Sequence, residues 1–503
     1  MVIGGGASGL GVALDALSRG LSVALFERHD FAKGTSSRST KLLHGGVRYL
    51  AQGQLGLVVE SLKERGLILK NAPHVSSIQA FIIPVYTYWN KVRYSLGLKV
   101  YDLLAGRLQI GRSRWLSGRE VMGRLPTLQR SGLKGGVLYY DGQFDDARLA
   151  LNVAQTCADM GGCVLNHMEM TGLAKDDSGF IKGVYVKDQL TQESYKVRAK
   201  AVVNATGVFA DTILKMDQPG AKPSIVPSQG THLVVDLSYL GGKDALMIPE
   251  TADGRVLFGI PWHGKLLLGT TDTVVKAPVP EPKALDEEVD FILRTCARYL
   301  SNPPARKDVL SVFAGLRPLA APRGKEKKTK EISRRHQIIL SEGSRLLSLI
   351  GGKWTTFRKM GEDTVDALVK LHHLPAGKSV SANIRFHGYQ QACDTSDHLS
   401  VYGSDAAGIH QLMAQQPELG RQLHPHFPHT CAEVVWMVRH EMALRVEDVL
   451  ARRTGILFLN AKAALQMAPA VARIMRKELG QDENWERNEI NAFNTLAERY
   501  LIN

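Results

Sequence analysis

The chain opens with a glycine-rich turn that constrains its fold more than any other part of the sequence. Gly4, Gly6 and Gly9 have GxGxxG spacing, after a short apolar strand and before a helix predicted over Leu10–Ser18. Glycines at these positions permit a tight turn and let the backbone approach a pyrophosphate at the helix N-terminus. Glu27 ends the next apolar run, where an acid can accept hydrogen bonds from a ribose diol. The sequence therefore predicts a Rossmann-like dinucleotide site at the N-terminus.

Composition narrows the class of protein and of partner. The 503 residues carry a net charge of +14, which indicates an anionic partner such as an acidic membrane surface or a phosphorylated substrate. Because no zinc-finger, helix-turn-helix or RNA-binding signature accompanies this charge, we expect no nucleic-acid partner. The five cysteines form no CxxC, so we expect free thiols and no metal site. No apolar run approaches the length of a spanning helix, so membrane association would be peripheral.

The middle and the end of the chain have different patterns. Alternating apolar residues predict strands of an antiparallel sheet over a ligand at Thr231–Val235, Val256–Pro261 and Lys265–Gly269. Two further strands are predicted at Val309–Leu319 and Leu346–Ile350. The tail predicts an all-α domain, whose helices are Cys431–Leu450, Lys462–Lys477 and Asn484–Leu501.

Several specific motifs occur in a fixed order along the chain. They are Gly4-Gly5-Gly6-Ala7-Ser8-Gly9, Gly34-Thr35-Ser36-Ser37, Ser39-Thr40-Lys41-Leu42-Leu43-His44-Gly45-Gly46-Val47-Arg48-Tyr49-Leu50, Asp145-Asp146-Ala147-Arg148-Leu149, Asn204-Ala205-Thr206-Gly207, Gly269-Thr270-Thr271-Asp272, Gly315-Leu316-Arg317-Pro318, Gly351-Gly352-Lys353-Trp354-Thr355-Thr356 and Glu447-Asp448-Val449-Leu450-Ala451-Arg452-Arg453-Thr454. Together they resemble the FAD-dependent glycerol-3-phosphate dehydrogenases over essentially the whole chain. The dinucleotide motif is shared by many flavoproteins, whereas the His-Gly-Gly-x-Arg-Tyr, Gly-x-Arg-Pro and Gly-Gly-Lys-x-Thr-Thr elements are far more specific.

The resemblance implies an α/β plus antiparallel β fold with three domains. A Rossmann-like FAD-binding domain would be joined to a substrate domain built on an antiparallel sheet and to a C-terminal all-α domain. The expected bounds are 1–80, 140–215 and 315–375 for the FAD-binding domain, 81–139 and 216–314 for the substrate and membrane-facing domain, and 380–503 for the helical domain.

The resemblance also implies FAD as the cofactor, and the single GxGxxG argues against a separate nicotinamide domain. Hydroxyl and backbone groups of the first half would contact the pyrophosphate and the edge of the flavin. Backbone N–H groups from Gly352 to Thr356 would stabilise negative charge on the reduced ring from a helix N-terminus. The expected cofactor-binding residues are Gly4, Gly6, Gly9, Glu27, Thr35, Ser36, Thr40, Lys41, Leu42, Ala205, Thr206, Gly207, Gly352, Lys353, Thr355 and Thr356.

The expected substrate pocket contains cations in fixed geometry. Arginine offers a planar fork to phosphate oxygens, and lysine a compact charge. The resemblance assigns to this pocket Arg48, Tyr49, His232, Thr270, Arg317 and Lys353. We expect Arg317 and Lys353 to be catalytic as well, because they would hold the phosphate and stabilise the developing alkoxide.

Oxidation of a secondary alcohol also requires a base near neutral pH, for which a neutral imidazole is suited. His44 and His232 both qualify. We favour His44 because it lies in the loop that would contact the flavin, and the assignment stays open between the two histidines.

The helix predicted over Trp89–Leu104 suggests where electrons leave the protein. Trp89, Val92, Leu96, Val100 and Leu103 recur every three or four residues and so share one face, with Lys91, Arg93 and Lys99 beside or opposite it. This pattern suits a helix lying among lipid headgroups, although an ordinary core helix would show it too. A second basic stretch follows Arg317 and comprises Lys325, Lys327, Lys328, Lys330, Arg334 and Arg335.

The sequence therefore predicts a flavoprotein that oxidises glycerol 3-phosphate to dihydroxyacetone phosphate and passes electrons to a membrane quinone. We expect a bacterial, cytoplasmic enzyme that binds peripherally to the anionic inner membrane, and a homodimer. Alternatives are a soluble glycerol-3-phosphate oxidase that uses oxygen and an amine or amino-acid oxidase of the same fold. A non-catalytic flavin-stabilised binding module is the alternative from another class.

Overall fold

The computed structural model describes residues 1–51, 53–251, 254–321, 335–391 and 397–502. Strands and helices are numbered in chain order. The strands are β1 Val2–Ile3, β2 Ala24–Phe26, β3 Leu42–Leu43, β4 Ser76–Val85, β5 Arg114–Ser117, β6 Gly135–Phe144, β7 Cys163–Leu165, β8 Met168–Lys175, β9 Ile181–Asp188, β10 Ser194–Arg198, β11 Val203–Asn204, β12 Ile225–Asp236, β13 Ala245–Ile248, β14 Leu257–Trp262, β15 Lys265–Gly269, β16 Thr273–Val274, β17 Ser311–Ala320, β18 Gln337–Ser341, β19 Leu346–Ile350, β20 Gln422–His424 and β21 Phe427–Thr430. The helices are α1 Ala7–Ser18, α2 Val47–Ala51, α3 Leu55–Asn71, α4 Tyr88–Ala105, α5 Gly118–Arg124, α6 Asp146–Asp159, α7 Ala210–Asp217, α8 Asp286–Tyr299, α9 Phe357–His372, α10 Ala406–Gln415, α11 Cys431–His440, α12 Ile456–Leu459, α13 Ala461–Glu478 and α14 Glu483–Ala497.

A six-stranded sheet forms the N-terminal layer, in the order β18-β19-β11-β1-β2-β7. Strand β1 pairs in parallel with β2 and β11, and β18 is the antiparallel edge. Leu10 of α1, Leu149 of α6 and Phe357 of α9 belong to the apolar cluster that covers the sheet. Because parallel strands need both faces covered, helix α1 is apolar and buried almost all round. The Rossmann-like prediction is confirmed.

A ten-stranded sheet forms the second layer. Its main order is β16-β12-β15-β14-β13-β4-β6-β3, with β17 paired to β12 and β5 to β6. All its pairs are antiparallel except β4 with β13. Strands β15 and β19 have the predicted bounds, whereas β12 extends the predicted Thr231–Val235 in both directions. The expected antiparallel sheet is therefore confirmed.

The tail is helical but contains a small hairpin of β20 and β21. Helices α13 and α14 confirm the last two helix predictions within one to four residues. The continuous helix predicted over Cys431–Leu450 is wrong, because α11 ends at His440 and a π-helix occupies Asp448–Arg453. At the break, Met442 has a φ of 54° and the Glu441 carboxylate turns inward to the Arg148 guanidinium. A buried ion pair has replaced the helical turn there.

Buried ion pairs join the tail to the N-terminal layer. Nη1 and Nη2 of Arg148 donate to the Glu441 carboxylate at 2.7 and 2.9 Å, and both side chains are about 1% exposed. Asp30, which follows β2, accepts hydrogen bonds from Arg452 and Arg453 of the π-helix. Charges buried this deeply require their partners, so these contacts fix the tail against the dinucleotide-binding layer. Among the described residues, no helix combines the length and hydropathy needed to cross a bilayer.

Candidate functional site

The N-terminal turn has the geometry that a dinucleotide requires. Gly4 follows β1 with a φ of +103°, and Gly6 precedes the first residue of α1. A Cβ on Gly9 would lie 1.9 Å from the carbonyl oxygen of Gly4, so no larger residue fits there without moving the turn. The backbone of the turn and the N-terminus of α1 therefore meet without side chains between them, which leaves room for a pyrophosphate.

Glu27 lies directly against this turn. Its carboxylate accepts hydrogen bonds from the backbone N–H of Gly5 at 2.7 Å and of His29 at 2.9 Å. Burial raises the pKa of the Glu27 carboxyl, and the two backbone donors oppose that rise. The carboxylate is thus fixed at the end of β2, the position that the sequence assigns to ribose recognition.

Ser36 connects the turn to two distant parts of the chain. Its Oγ accepts from the N–H of Ala7 at 3.0 Å, and its carbonyl oxygen accepts from Nε1 of Trp354 at 2.8 Å. The neighbouring Thr35 hydroxyl donates to the carbonyl oxygen of Leu316. The first turn, residues 35–37 and the segment before α9 therefore form one cluster.

Lys41 differs from its neighbours in the same motif. Its ammonium donates to the carboxylate of Asp146 at 2.6 Å and to the carbonyl oxygen of Ser37 at 2.7 Å, and the side chain is 1% exposed. The Lys41 side chain therefore holds this loop to the start of α6, and any contact with a cofactor would come from its backbone.

The predicted turn after β11 also lies beside the first glycines. The Ala205 N–H donates to the carbonyl oxygen of Ile3, and the Thr206 hydroxyl donates to the Asn204 side chain at 2.7 Å. Gly207 has a φ of +58°. This turn therefore extends the dinucleotide site at the carboxyl ends of β1 and β11.

Two adjoining cavities lie between the sheets and bring together most of the other predicted residues. The first is lined by Thr35, Arg38, Ser39, Thr40, Leu42, His44, Tyr49, Gly230, His232, Gly315, Arg317, Pro318, Leu319, Gly351, Gly352, Lys353, Trp354 and Thr355. The second shares Thr40, Leu42, His44, Tyr49 and Arg317 with it and adds Thr270 and Asp272. Thr356 is buried just behind Thr355. Gly4, Gly6, Gly9 and Glu27 do not line these cavities.

Arg317 stands on β17 at the wall that the two cavities share. One Nη donates to the carbonyl oxygen of Thr271 at 3.0 Å and lies 3.3 Å from the Asp272 carboxylate, while the other donates to the Thr270 hydroxyl at 3.2 Å. A Cβ on Gly230 of the paired strand would lie 2.3 Å from the guanidinium, so this glycine makes room for it. The contacts hold the guanidinium plane in one orientation.

Lys353 precedes the helical turn that leads into α9. Its Nζ donates to the Ser61 hydroxyl at 2.9 Å and lies 4.2 Å from the centre of the Tyr49 ring. Tyr49 is on α2, immediately after the glycine-containing loop 44–46. Arg48 is on the same helix, but its side chain lies outside the described part of the structure.

Two histidines line the cavity. His232 is 2% exposed, stacks on Phe313 with ring centres 5.0 Å apart, and hydrogen-bonds through Nε2 to the Thr40 hydroxyl at 3.0 Å. Burial lowers the pKa of His232 well below its ordinary value, and the charges of Arg317 and Lys41 lower it further. His44 is partly exposed and lines both cavities. The structure therefore brings both candidate bases to the site, with His232 neutral.

A buried cluster of hydrogen-bonded residues behind the His44 loop was not predicted from the sequence. The N–H of Gly45 donates to the Tyr101 hydroxyl of α4 at 2.7 Å, and that hydroxyl donates to the Asp141 carboxylate at 2.8 Å. Arg65 pairs with Asp141 at 2.8 Å. Single polar residues in otherwise apolar sequence were the only available signal for this cluster, because its contacts join segments far apart in the chain.

Comparisons with known proteins agree with this geometry. The family model described as "FAD dependent oxidoreductase" matches residues 1–356, and the "C-terminal domain of alpha-glycerophosphate oxidase" matches residues 344–486. The chain is 39% identical to the mitochondrial glycerol-3-phosphate dehydrogenase of Bos taurus, over 97% of this chain and 72% of that protein. It is 40% identical to the mitochondrial glycerol-3-phosphate dehydrogenase SDP6 of Arabidopsis thaliana, over 99% of this chain and 86% of that protein.

Solved structures give the same result. The glycerol-3-phosphate dehydrogenase from Bacillus halodurans, complexed with FAD, matches with a TM-score of 0.80 and 31% identity over 99% of this chain and 94% of that one. The L-alpha-glycerophosphate oxidase of Mycoplasma pneumoniae, with FAD bound, matches with a TM-score of 0.56 and 18% identity over 75% of this chain and 95% of that one, which shows the shared fold.

Proposed function

The chain belongs to the FAD-dependent glycerol-3-phosphate dehydrogenases, and from that premise we propose that it oxidises sn-glycerol 3-phosphate to dihydroxyacetone phosphate. The single observation that carries the proposal is the meeting of Arg317, Lys353, His44 and His232 around one cavity. Two cations suit a phosphate dianion, and two imidazoles suit an alcohol that must lose a proton. An amine substrate would leave both cations without a role, and the single carboxylate of an amino acid would need only one of them.

FAD is the cofactor, and the residues around the N-terminal turn fit it. The close approach at Gly9 and the fixed carboxylate of Glu27 suit the pyrophosphate and the adenosine ribose. When bound, the flavin supplies the acceptor for the hydride of the alcohol carbon. The residues that we propose to hold it are Gly4, Gly6, Gly9, Glu27, Thr35, Ser36, Thr40, the Lys41 backbone, Leu42, Ala205, Thr206, Gly207, Gly352, Lys353, Thr355 and Thr356.

In this proposal the polar residues of the cavity divide into two tasks. Arg317 and Lys353 bind the phosphate and stabilise negative charge on the C2 oxygen, and Arg48, Tyr49 and Thr270 complete the pocket. His44 accepts the proton of the C2 hydroxyl while the C2 hydride leaves, so that a carbonyl forms. His232, which its burial and the nearby cations keep neutral, orients that hydroxyl together with Thr40.

Anaerobic reduction of the bound flavin tests the reaction directly. Glycerol 3-phosphate should bleach the flavin absorbance, and glycerol at the same concentration should not. Arg317→Ala should slow bleaching by about ten- to a hundredfold, because one charge-assisted contact is worth about 1.5–3 kcal/mol. Arg306→Ala is the matched control, since Arg306 pairs on the surface with Asp286 and Asp290. Equal rates in the two variants would remove Arg317 from the site.

Two further variants distinguish the candidate bases. His44→Asn should lower the rate constant for flavin reduction by about 10²–10⁴-fold with little change in substrate affinity, because proton removal matters mainly in the transition state. His232→Asn should weaken the reaction less. The opposite ranking would assign the base to His232.

Helix α4 supports a membrane quinone as the electron acceptor. Its apolar residues form two opposite faces: Leu98 and Tyr101 are buried, whereas Trp89, Leu96 and Leu103 are 75, 65 and 79% exposed. Exposed apolar residues that share one face of a helix normally mark a binding surface. Arg93 and Lys99 flank it, which suits the anionic headgroups of a bilayer. We therefore propose peripheral binding to an anionic membrane through this face.

The second predicted basic stretch contributes nothing to this argument. Lys325, Lys327, Lys328, Lys330 and Arg334 lie outside the described residues, and only Arg335 is described.

Vesicle binding tests the membrane proposal. Replacing Trp89, Leu96 and Leu103 with serine should abolish sedimentation with anionic vesicles and quinone reduction, since each such side chain contributes about 1.5–3 kcal/mol when buried. Activity with a soluble dye should persist. A triple variant at the exposed residues Leu190, Val279 and Val380 is the matched control. Fast oxygen consumption without vesicle binding would favour the soluble oxidase instead.

A further inference from the structure

A cluster of two histidines and a glutamate lies in the helical tail and is not part of the flavin site. His398 begins a 3₁₀ segment, His429 is in β21 and Glu433 is in the first turn of α11. Nε2 of His398 lies 3.1 Å from one Glu433 oxygen, and Nδ1 of His429 lies 3.0 Å from the other. One nitrogen or oxygen atom from each residue lies within 4.8 Å of the others. None of the three residues lines the cavities described above.

The glutamate of this cluster is held rigidly. Its side chain is fully buried, and its carboxylate accepts from the Thr430 N–H at 2.6 Å and from the Tyr402 hydroxyl at 3.0 Å. Outer hydrogen bonds of this kind orient the ligands of metal sites. The His398 and His429 side chains are 28 and 18% exposed, so solvent reaches the cluster from the imidazole side.

We propose that His398, His429 and Glu433 bind one Zn²⁺ ion. Imidazole nitrogen and carboxylate oxygen are ordinary zinc ligands, and three protein ligands leave a fourth position for water. Zinc bonds of about 2.0–2.1 Å in a tetrahedron place ligand atoms about 3.3 Å apart. The 3.0 and 3.1 Å contacts reach two different oxygens of Glu433, and the three ligand atoms lie within 4.8 Å of one another, so binding one ion requires them to approach by at most about 1.5 Å. The ion would tie the 398–405 segment to β21 and α11.

This site could not be predicted from the sequence, from which we expected no metal. His398 and Glu433 are 35 residues apart, and only the folded tail brings them together. The same contacts would also form a hydrogen-bonded cluster without metal, and the experiment must separate the two.

Zinc content of the untagged holoprotein tests the proposal. After chelation and gel filtration, the protein is titrated with Zn²⁺ in competition with a chromophoric chelator. We expect one ion per chain, and we expect His398→Gln and His429→Gln to weaken binding by more than about a hundredfold, because loss of a ligand exceeds the effect of losing an outer-shell partner. His410→Gln is the control, since His410 contacts Asp397 and is not in the cluster.

Glu433→Gln provides a second variant that keeps an oxygen acceptor for Thr430. It should retain flavin and fold while losing zinc affinity. Zinc should raise the unfolding temperature of the parent and of His410→Gln, but not of the cluster variants. Absence of stoichiometric zinc in the parent, or equal affinity in parent and cluster variants, would overturn the proposal.

Discussion

The contact between Tyr101 and the His44 loop can be tested by one substitution, Tyr101→Phe. The phenolic oxygen accepts from the buried N–H of Gly45 at 2.7 Å and donates to Asp141 at 2.8 Å. Phenylalanine keeps the ring in its apolar environment and removes only the hydroxyl, with its hydrogen bonds to Gly45 and to both Asp141 oxygens. Asp141 retains its ion pair with Arg65. The main loss is therefore the acceptor for one backbone donor.

The size of the effect follows from that loss. Since the Asp141 carboxylate also interacts with the Gly45 N–H, the cost is at most that of a buried donor without a partner, about 1–3 kcal/mol, so local opening of the loop should become up to about 150 times more frequent. Tyr139→Phe is the matched control: its ring is also buried, but among the described residues its hydroxyl hydrogen-bonds only to the sulfur of Met247, a weak acceptor. This control should change opening by much less.

Hydrogen exchange followed by mass spectrometry measures the opening directly, in the peptide that contains Gly45. The flavin should remain bound in both variants. Tyr101→Phe should also slow anaerobic flavin reduction, because the mobile loop carries His44. Exchange no faster in Tyr101→Phe than in Tyr139→Phe would refute the assignment of Tyr101 as a positioning residue.

Two further predictions concern the helical tail. Glu441→Gln should destabilise the protein by about 3–5 kcal/mol, because it leaves the buried Arg148 guanidinium without its charged partner. The unfolding temperature should decrease clearly in Glu441→Gln and only slightly in the surface variant Glu478→Gln. Hydrogen bonding to Asp405 raises the pKa of His387 to about 9, so its stabilising contribution is complete below pH 6.5 and is lost as the pH rises through 9. The stability difference between the parent and His387→Gln, at most about 3 kcal/mol, should therefore shrink between pH 6.5 and 9.5, and a constant difference would contradict this pKa.

Two strands were predicted with the right bounds, because a short apolar run between turn residues is typical of a buried strand. Strands β15 and β19 are short apolar runs between turn residues, and both agree with the prediction residue for residue. The prediction for the tail failed where a long-range ion pair outweighed helix propensity. The sequence of residues 431–450 predicts one helix, yet Glu441 turns inward to a partner almost 300 residues away. Periodicity contains no information about such a partner.

The same limit applies to the site. The family resemblance assigned Arg317, Lys353 and His232 to one pocket and His44 to the flavin-contacting loop, and the structure brings all four to one cavity. The sequence did not indicate that the Lys41 side chain forms an ion pair with Asp146, because the partner of a lysine in a polar motif cannot be identified from the sequence. The exposed face of α4 also required the structure, because a core helix has the same apolar period.

In the proposed mechanism, the charges around His232 would connect substrate binding to proton transfer. Burial lowers the pKa of this imidazole most, Arg317 and Lys41 lower it further, and Lys41 is already neutralised by its ion pair with Asp146. In the proposed complex, a phosphate dianion beside Arg317 offsets the remaining positive charge. The affinity of His232 for a proton then rises only when substrate is present, since a nearby anion favours the protonated form of an imidazole. The hydrogen-bonded Thr40 and His232 pair can therefore support proton removal by His44 in the complex, while the free enzyme keeps the buried imidazole neutral.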